Sequence, residues 1–177
     1  MSVRTLGYSL DIAELLYDRV TANEASRLGF WIKLQELLKH RWERLDASMQ
    51  FSARMVERLY LGEHAGNVFP SEDNTPGVAS SLHRDLSGKT LAIYSLMKGA
   101  ARRGKEALLQ LYPGLEVELN HDHVATPALV NLAKTADYFI FASSSSKHQA
   151  FYAVTDYRKE IIYPSGKGAS SMIASFV

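Results

Sequence analysis

Cysteine is absent from this chain of 177 residues. Its absence excludes disulfides, thiolate metal sites and cysteine nucleophiles, and it fits a reducing compartment, so we expect a cytoplasmic protein. No segment approaches the roughly 18 consecutive apolar residues of a membrane span, so no membrane partner is expected. The charges balance, with 20 Lys and Arg against 19 Asp and Glu, and a nucleic acid partner is therefore not expected either.

With 177 residues, of which 46% are hydrophobic, the chain is long enough for one ordinary domain core or for one compact domain with a helical appendage. Turn-forming residues cluster between positions 63 and 87, which we interpret as a linker. The predicted organisation is thus a helical region at residues 1–62, the linker, and an α/β domain at residues 88–177.

The helical region is predicted to contain a short helix capped by Asp11 and one long amphipathic helix over residues 23–61. The long segment has no proline and only Gly29 as a helix-weakening residue. Its apolar stripe recurs at three- and four-residue steps and consists of Leu38, Trp42, Leu45, Met49, Val56 and Leu59. We expect this helix to pack on its own domain, to dimerise or to dock on a partner's helix, because its charges are mixed in sign.

The second half alternates short apolar runs with helical patterns. The strand-like runs lie at residues 90–95, 115–119, 137–142 and 160–163, and helical patterns lie at 98–111, from 127 onward, at 147–157 and at 169–176. This alternation predicts an α/β fold with a four-stranded parallel sheet, Rossmann-like or flavodoxin-like, and helices on both faces.

Parallel strands place their carboxyl ends at one edge of a sheet, which is where ligands bind in such folds. Loops rich in serine, glycine and histidine follow the predicted strands at this edge. The predicted ligand-binding residues are Ser95, His121, Asp122, His123, Ser143, Ser144, Ser145, His148, Ser165, Gly166, Lys167, Gly168 and Ser170.

The loop at residues 165–168 offers backbone N–H groups, hydroxyls and the charge of Lys167, which suit an anion or a phosphate. It is not a P-loop, because Ile161 and Gly168 occupy the positions where that motif needs glycine and Ser or Thr. No dinucleotide fingerprint follows the first strand, so NAD, FAD and magnesium-dependent ATP hydrolysis are not expected and no cofactor is predicted. The alternative is structural: the glycines permit a turn and Ser170 caps the last helix.

The histidines leave three interpretations open. His121 and His123 flank an aspartate as metal ligands can, but a metal needs further ligands, for which His148 or Asp137 would be candidates. Ligand contact and a purely structural loop are the other readings, and we predict no metal. His148 lies in the first turn of a helix, where a binding or structural role is expected unless a catalytic partner lies nearby.

Three segments of the second half carry a family resemblance: residues 135–140, residues 146–150 and residues 163–171. With them, residues 88–176 resemble an uncharacterised family of small bacterial Rossmann-like domains, which show an Ala-Asp strand, a Ser-His-x-Ala helix start and a serine-rich final turn. Lys147 interrupts the Ser-His pair here, and serines stand where family members often carry cysteine. The resemblance implies the fold, the location of the site and a position beside helical segments in larger proteins.

These features favour a non-catalytic ligand-sensing or scaffold protein that binds a nucleotide-like or phosphorylated small molecule and dimerises or docks through its helices, in a bacterial defence or regulatory system. Two alternatives stay open. One is a phosphoester-hydrolysing or nucleotide-cleaving enzyme that uses His148 and Lys167 with His121 or Asp122. The other is a structural subunit of a larger complex.

Overall fold

The computed structural model describes residues 3–19, 21–66, 68–70, 84–143 and 148–177. The chain divides into two compact units, Met1–His83 together with Val177, and Arg84–Phe176. We call them the helical unit and the sheet unit. Within the described ranges, no helix is both long enough and apolar enough to cross a membrane.

The helical unit contains three α-helices: α1 (Val3–Asp18), α2 (Glu24–Lys39) and α3 (Ala47–Leu61). Short 3₁₀ turns follow α2 and α3, at Trp42–Arg44 and Gly62–His64. The helices bury their apolar faces against one another. The buried apolar side chains of this core are Leu6, Leu10, Ala13, Trp31, Leu34, Leu38, Trp42, Leu45, Met49, Ala53, Val56 and Phe69.

The prediction of one long helix over residues 23–61 is wrong, because α2 ends at Lys39 and α3 begins only at Ala47. Asp46 is the N-cap of α3, and its side chain accepts a hydrogen bond of 2.8 Å from the Met49 backbone N–H. The Gln50 side chain donates to the backbone carbonyls of Trp42 (3.0 Å) and Leu45 (3.3 Å). These bonds satisfy carbonyls that a continuous helix would have satisfied itself.

The first helix also differs from the prediction, since it begins at Val3 and not at Asp11. Asp11 lies in the middle of α1 and is only 4% exposed. Leu6, Leu10 and Ala13 recur along the buried face of this helix at steps of four and three residues. The apolar pattern that marks α1 therefore starts before the aspartate that resembled a cap.

The segment after α3 folds back onto the helices through Phe69. The Phe69 ring stacks on Trp42 with centroids 4.7 Å apart and meets the edge of Trp31 at 6.4 Å. The buried carboxylate of Glu57 accepts hydrogen bonds from the backbone N–H groups of Gly66 and Val68, both at 3.1 Å. Backbone bonds and aromatic packing thus hold this segment in the core of the helical unit.

The sheet unit consists of β1 (Thr90–Tyr94), α4 (Lys98–Leu111), β2 (Glu116–Asn120), α5 (Pro127–Thr135), β3 (Tyr138–Phe141), α6 (His148–Thr155) and α7 (Ala169–Phe176). Its three strands are parallel and lie in the order β2-β1-β3. The α/β class is confirmed. Pro127 stands at the first position of α5 with Thr126 as N-cap.

Side chains of the strands alternate between the two faces of the sheet. Tyr94 and Phe141 stack at 4.6 Å within a core that includes residues of α5 and α6. Tyr138, the first residue of β3, instead meets Phe176 of α7 at 5.4 Å. Helix α7 packs on α4, where a Cβ on Gly104 would lie 3.4 Å from Met172 Sδ. The two faces are therefore covered by different helices.

The prediction of four strands is wrong, because residues 160–163 form only a single parallel bridge, between Ile162 and Ile140. Ile162 donates to Phe139 O and accepts from Phe141 N, both at 2.8 Å. The next N–H toward β3 would come from residue 164, which is proline and has none. The carbonyl of Glu160, one step earlier, accepts from Arg158 Nε at 2.9 Å. The ladder therefore ends on both sides of Ile162.

The amino ends of β1 and β3 are joined by Asp137. Its carboxylate accepts from the Thr90 backbone N–H and from Lys89 Nζ, both at 2.9 Å. These bonds hold the pKa of Asp137 below its usual range, and the Asp137 partner raises the pKa of Lys89. The Arg158 guanidinium adds bonds to the carbonyls of Ala136 and Asp137. This edge of the sheet is thus occupied by its own structural contacts.

Truncation of Phe69 tests the packing of the helical unit. Phe69→Ala removes a ring that is 4% exposed, and we expect the free energy of unfolding to fall by about 3 to 5 kcal/mol. Urea denaturation followed by tryptophan fluorescence measures this unit specifically, because Trp31 and Trp42 are the two tryptophans of the chain. Tyr8→Ala is the control, since Tyr8 is 42% exposed and should cost less than about 1 kcal/mol. Equal losses would contradict the described packing.

Candidate functional site

The carboxyl ends of β1 and β2 meet, and they bring two of the predicted site residues together. The Ser95 backbone N–H donates to Asn120 O at 3.1 Å. The His121 ring returns from the β2 side, with Nδ1 2.6 Å from the backbone carbonyl of Ser95. The Ser95 hydroxyl accepts from the Met97 backbone N–H at 3.1 Å. Ser95 is fully buried, so it contributes to this edge of the sheet from within the core.

The contact with Ser95 fixes the tautomer of His121. A carbonyl oxygen only accepts hydrogen bonds, so Nδ1 must carry the proton that lies between the two atoms. In the neutral ring, Nε2 then carries the lone pair and can accept a hydrogen bond. Backbone contacts of this kind set the roles of the two ring nitrogens in functional histidines. His121 is half-buried and is held in one orientation at the edge of the sheet.

Asp122 is bound within its own loop. Its Oδ2 accepts from Asn120 Nδ2 at 2.8 Å and from the Thr126 hydroxyl. Its backbone N–H donates to Asn120 Oδ1 at 3.0 Å. The bonds from Thr126 and Asn120 hold the pKa of Asp122 below its usual range. A carboxylate stabilised in this way is a weak base. In this structure Asp122 holds the loop together.

The loop after β2 is tied to its neighbours at two points. Thr126 Oγ1 both donates to Asp122 and accepts from the Leu129 backbone N–H at 3.2 Å, so one hydroxyl links the loop to the start of α5. The buried Tyr94 hydroxyl donates to the backbone carbonyl of Asp122 at 2.9 Å. These bonds fix the loop after β2, which carries His121, to the rest of the sheet unit. We call it the His121 loop.

The serine-rich segment after β3 is described in part. Ser143 is exposed and follows the carboxyl end of β3 directly. Ser144 and Ser145 lie outside the described residues. His148 is the first residue of α6 and is exposed. The binding role predicted for these residues stays a prediction.

The glycine-rich loop before α7 shows exposed polar side chains on a buried base. Ser165 and Lys167 are exposed, whereas Gly168 and Ser170 are buried and Gly166 is half-buried. The described glycines with positive φ are Gly62, Gly66, Gly88 and Gly114. Gly166 and Gly168 are not among them, so a left-handed backbone does not explain the glycine at either position. The base of the loop is fixed through α7, which packs on α4.

The candidate metal ligands are not brought together. Asp137 lies at the amino edge of the sheet, whereas His121 lies at the carboxyl edge. His123 is exposed in the loop after β2. Among the described residues, no group of three or more His, Asp or Glu side chains could hold a metal ion.

Several residues that shape the site were missing from the sequence prediction. Asn120 and Thr126 form the network around Asp122, and Tyr94 supports the same loop from below. Thr126 lies four residues after Asp122, but only the turn of the loop brings the two side chains together. Tyr163 places a 47% exposed ring beside Phe141, with the centroids 6.3 Å apart.

Comparison with known proteins relates the chain to a protein family. A family model described as DpdD-like matches residues 1–175. This match extends over both units, whereas the resemblance found in the sequence was limited to residues 88–176. No curated protein and no solved structure matches the chain.

Replacement of Asp122 tests the loop network through its dependence on pH. Asp122→Asn removes the charge, and we expect the free energy of unfolding to fall by about 1 kcal/mol near neutral pH. The folded-state pKa lies below the usual value of 3.8, so the ionised carboxylate stabilises the fold above that pH. This stabilisation is lost as the pH falls through the folded pKa. Urea denaturation followed by circular dichroism at several pH values measures the difference.

Asp156→Asn provides the matched control, because Asp156 is exposed in the same unit and undergoes the same chemical change. The difference between wild type and Asp122→Asn should narrow below about pH 4, while Asp156→Asn should stay close to wild type throughout. A difference that is constant across this range would contradict the assigned network.

Proposed function

The chain belongs to the DpdD-like family, and on that premise we propose that its sheet unit is a non-catalytic module that binds a phosphorylated small molecule. The ligand lies at the carboxyl edge of the sheet, and binding is sensed or relayed within a larger assembly. Family membership favours a bacterial system of DNA modification or defence as the setting. The helical unit serves as the scaffold part of the protein.

The orientation of His121 is the observation that carries this proposal. Its ring is fixed by the carbonyl of Ser95, and its Nε2 is left as the hydrogen-bonding atom of the ring. A phosphate monoester can donate to this nitrogen when it is singly protonated, and it can accept from it when the ring is protonated. The same ring therefore suits a phosphorylated ligand in either charge state.

The loop at residues 165–168 offers polar groups to an anionic ligand at this edge. The Asp122 carboxylate of the loop after β2 stays charged, but Asn120 and Thr126 already bind it. Lys167 and Ser165 are exposed in the loop that leads into α7. Hydroxyls and an ammonium group are typical phosphate-binding side chains. The opposite edge of the sheet is less suitable, because Asp137 binds Lys89 there.

The alternative of a phosphoester-hydrolysing enzyme has less support. Its general base would be His148, His121 or Asp122, but the hydrogen bonds of Asp122 favour its charged, weakly basic form. Nδ1 of His121 is bound to a backbone carbonyl and not to an orienting carboxylate. Turnover of a nucleotide panel that vanishes in His148→Ala would establish the enzyme in place of the sensor.

Dimerisation or docking through the helical unit stays a prediction. Tyr8 and Ile12 on α1 are 42% and 45% exposed, and Leu28 and Ile32 on α2 are 41% and 50% exposed. Each pair is spaced by four residues and so shares one side of its helix. Exposed apolar pairs of this kind suit contact with another helix.

Thermal denaturation in the presence of phosphorylated ligands tests the proposed function. Inorganic phosphate, ribose 5-phosphate and nucleoside monophosphates at millimolar concentration are suitable probes. A ligand at 100 times its Kd should stabilise the folded chain by about 2.7 kcal/mol. We expect His121→Ala and Lys167→Ala each to weaken binding about tenfold, because each removes one hydrogen bond worth about 1.4 kcal/mol.

Two matched variants serve as controls. His40→Ala removes an exposed histidine of the helical unit, and Lys159→Ala removes an exposed lysine that precedes the bridge at Ile162. Both should bind like the wild type. Absence of stabilisation by every probe would refute the proposal, as would equal losses in the controls and in the two site variants.

A further inference from the structure

Tyr163 ends a row of aromatic rings at the carboxyl edge of the sheet. We propose that its exposed face stacks on a planar heteroaromatic base, which makes the ligand a nucleotide and not a simple sugar phosphate or inorganic phosphate. This inference rests on the proposed function and names its ligand class. It also assigns to Tyr163 the recognition of the base.

The row of rings supports Tyr163 from one side. The centroid of its ring lies 6.3 Å from that of Phe141, and the two ring planes meet at 71°. Phe141 in turn stacks on Tyr94 at 4.6 Å and meets Phe151 at 5.7 Å. Phe141 and Tyr94 are buried, with 1% and 0% exposure, whereas Tyr163 is 47% exposed. Tyr163 thus has one side on a fixed core and a large part of its ring open to solvent.

The backbone beside Tyr163 is fixed as well. Ile162 makes both backbone hydrogen bonds of the bridge to β3, at 2.8 Å each, and is the residue directly before Tyr163. Pro164, directly after it, restricts the backbone further and is buried. A tyrosine side chain has few rotatable bonds, so a ring held in this way loses little conformational entropy when a ligand stacks on it.

Contacts or short chain segments connect this ring to both polar loops of the proposed site. Lys167 follows Tyr163 by four residues, which limits the separation of their Cα atoms to about 14 Å. On the other side, the row reaches the His121 loop, because the Tyr94 hydroxyl donates to Asp122 O at 2.9 Å. An aromatic face and phosphate-binding groups at one edge match the two halves of a nucleotide.

A nucleobase fits these surroundings better than an aliphatic or protein partner. The neighbours of Tyr163 along the chain include the exposed polar residues Ser165 and Lys167, so the chain that follows the ring is polar. A base combines a π-face for stacking with a polar edge that these groups can satisfy. An apolar side chain of another protein would displace water from these polar groups without replacing its hydrogen bonds.

Calorimetric titration of the full chain with the four nucleoside monophosphates and with ribose 5-phosphate tests the inference. The wild type should bind at least one nucleotide more tightly than ribose 5-phosphate. We expect Tyr163→Ala to weaken that nucleotide about 5- to 150-fold, the equivalent of about 1 to 3 kcal/mol for one stacked base. Its affinity for ribose 5-phosphate should not change. Tyr163→Phe retains the ring and should bind within about threefold of the wild type.

Tyr157→Ala is the matched control, because Tyr157 is 55% exposed in the same unit and its ring lies under Lys134 Nζ at 4.2 Å. It should bind every probe like the wild type. If no nucleotide binds more tightly than ribose 5-phosphate, the stacking is refuted while the proposed phosphate site stands. If no probe binds, both proposals fail. Equal weakening of nucleotide and ribose 5-phosphate in Tyr163→Ala would show a structural role and overturn the inference.

Discussion

The parallel pairing of β1 with both of its neighbours is the constraint on which the sheet unit depends. Ile93 lies opposite Leu119 on β2 and opposite Ile140 on β3, and this register sets where all three strands end. A shift by one residue would move the ring of Tyr94 to the other face and separate Ser95 from the loop after β2. The contact between His121 and the Ser95 carbonyl therefore follows directly from the strand register.

The two ends of the sheet use their carboxylates in the same way but leave different surfaces. Asp137 joins the amino ends through Thr90 and Lys89, and Asp122 closes the loop at the carboxyl end. Hydrogen bonds within the fold hold both carboxylates, and these bonds lower the pKa of each below its usual range. At the amino edge the lysine is bound as well, whereas Lys167 at the carboxyl edge is exposed. Lys89 and Arg158 at the amino edge thus bind groups of the protein itself, whereas Lys167 lies exposed in the loop before α7.

Sequence patterns predicted the α/β class and the bounds of α4 and α7, because clear breakers or loops flank these apolar patterns. They failed at residues 40–46, where Trp42 and Leu45 keep a helical spacing and are buried although the helix is broken. The periodicity of apolar residues indicates which side chains are buried, but it does not indicate that the helix is continuous. The available signal was the capping residue Asp46, whose side chain also binds the Ser48 hydroxyl at 2.7 Å.

The sequence predicted which strand ends form the candidate site, but not which side chains contact one another there. Strand order alone brings Ser95 close to His121, whereas the bond between Thr126 and Asp122 depends on the path of a loop. The missing fourth strand and the exposed ring have one cause. Pro164 cannot continue the ladder after Ile162, so Tyr163 is the last residue beside an anchored bridge, and its ring stays partly outside the sheet core. The same proline that invalidates the four-stranded prediction thereby places a partly exposed aromatic ring next to the loop at residues 165–168.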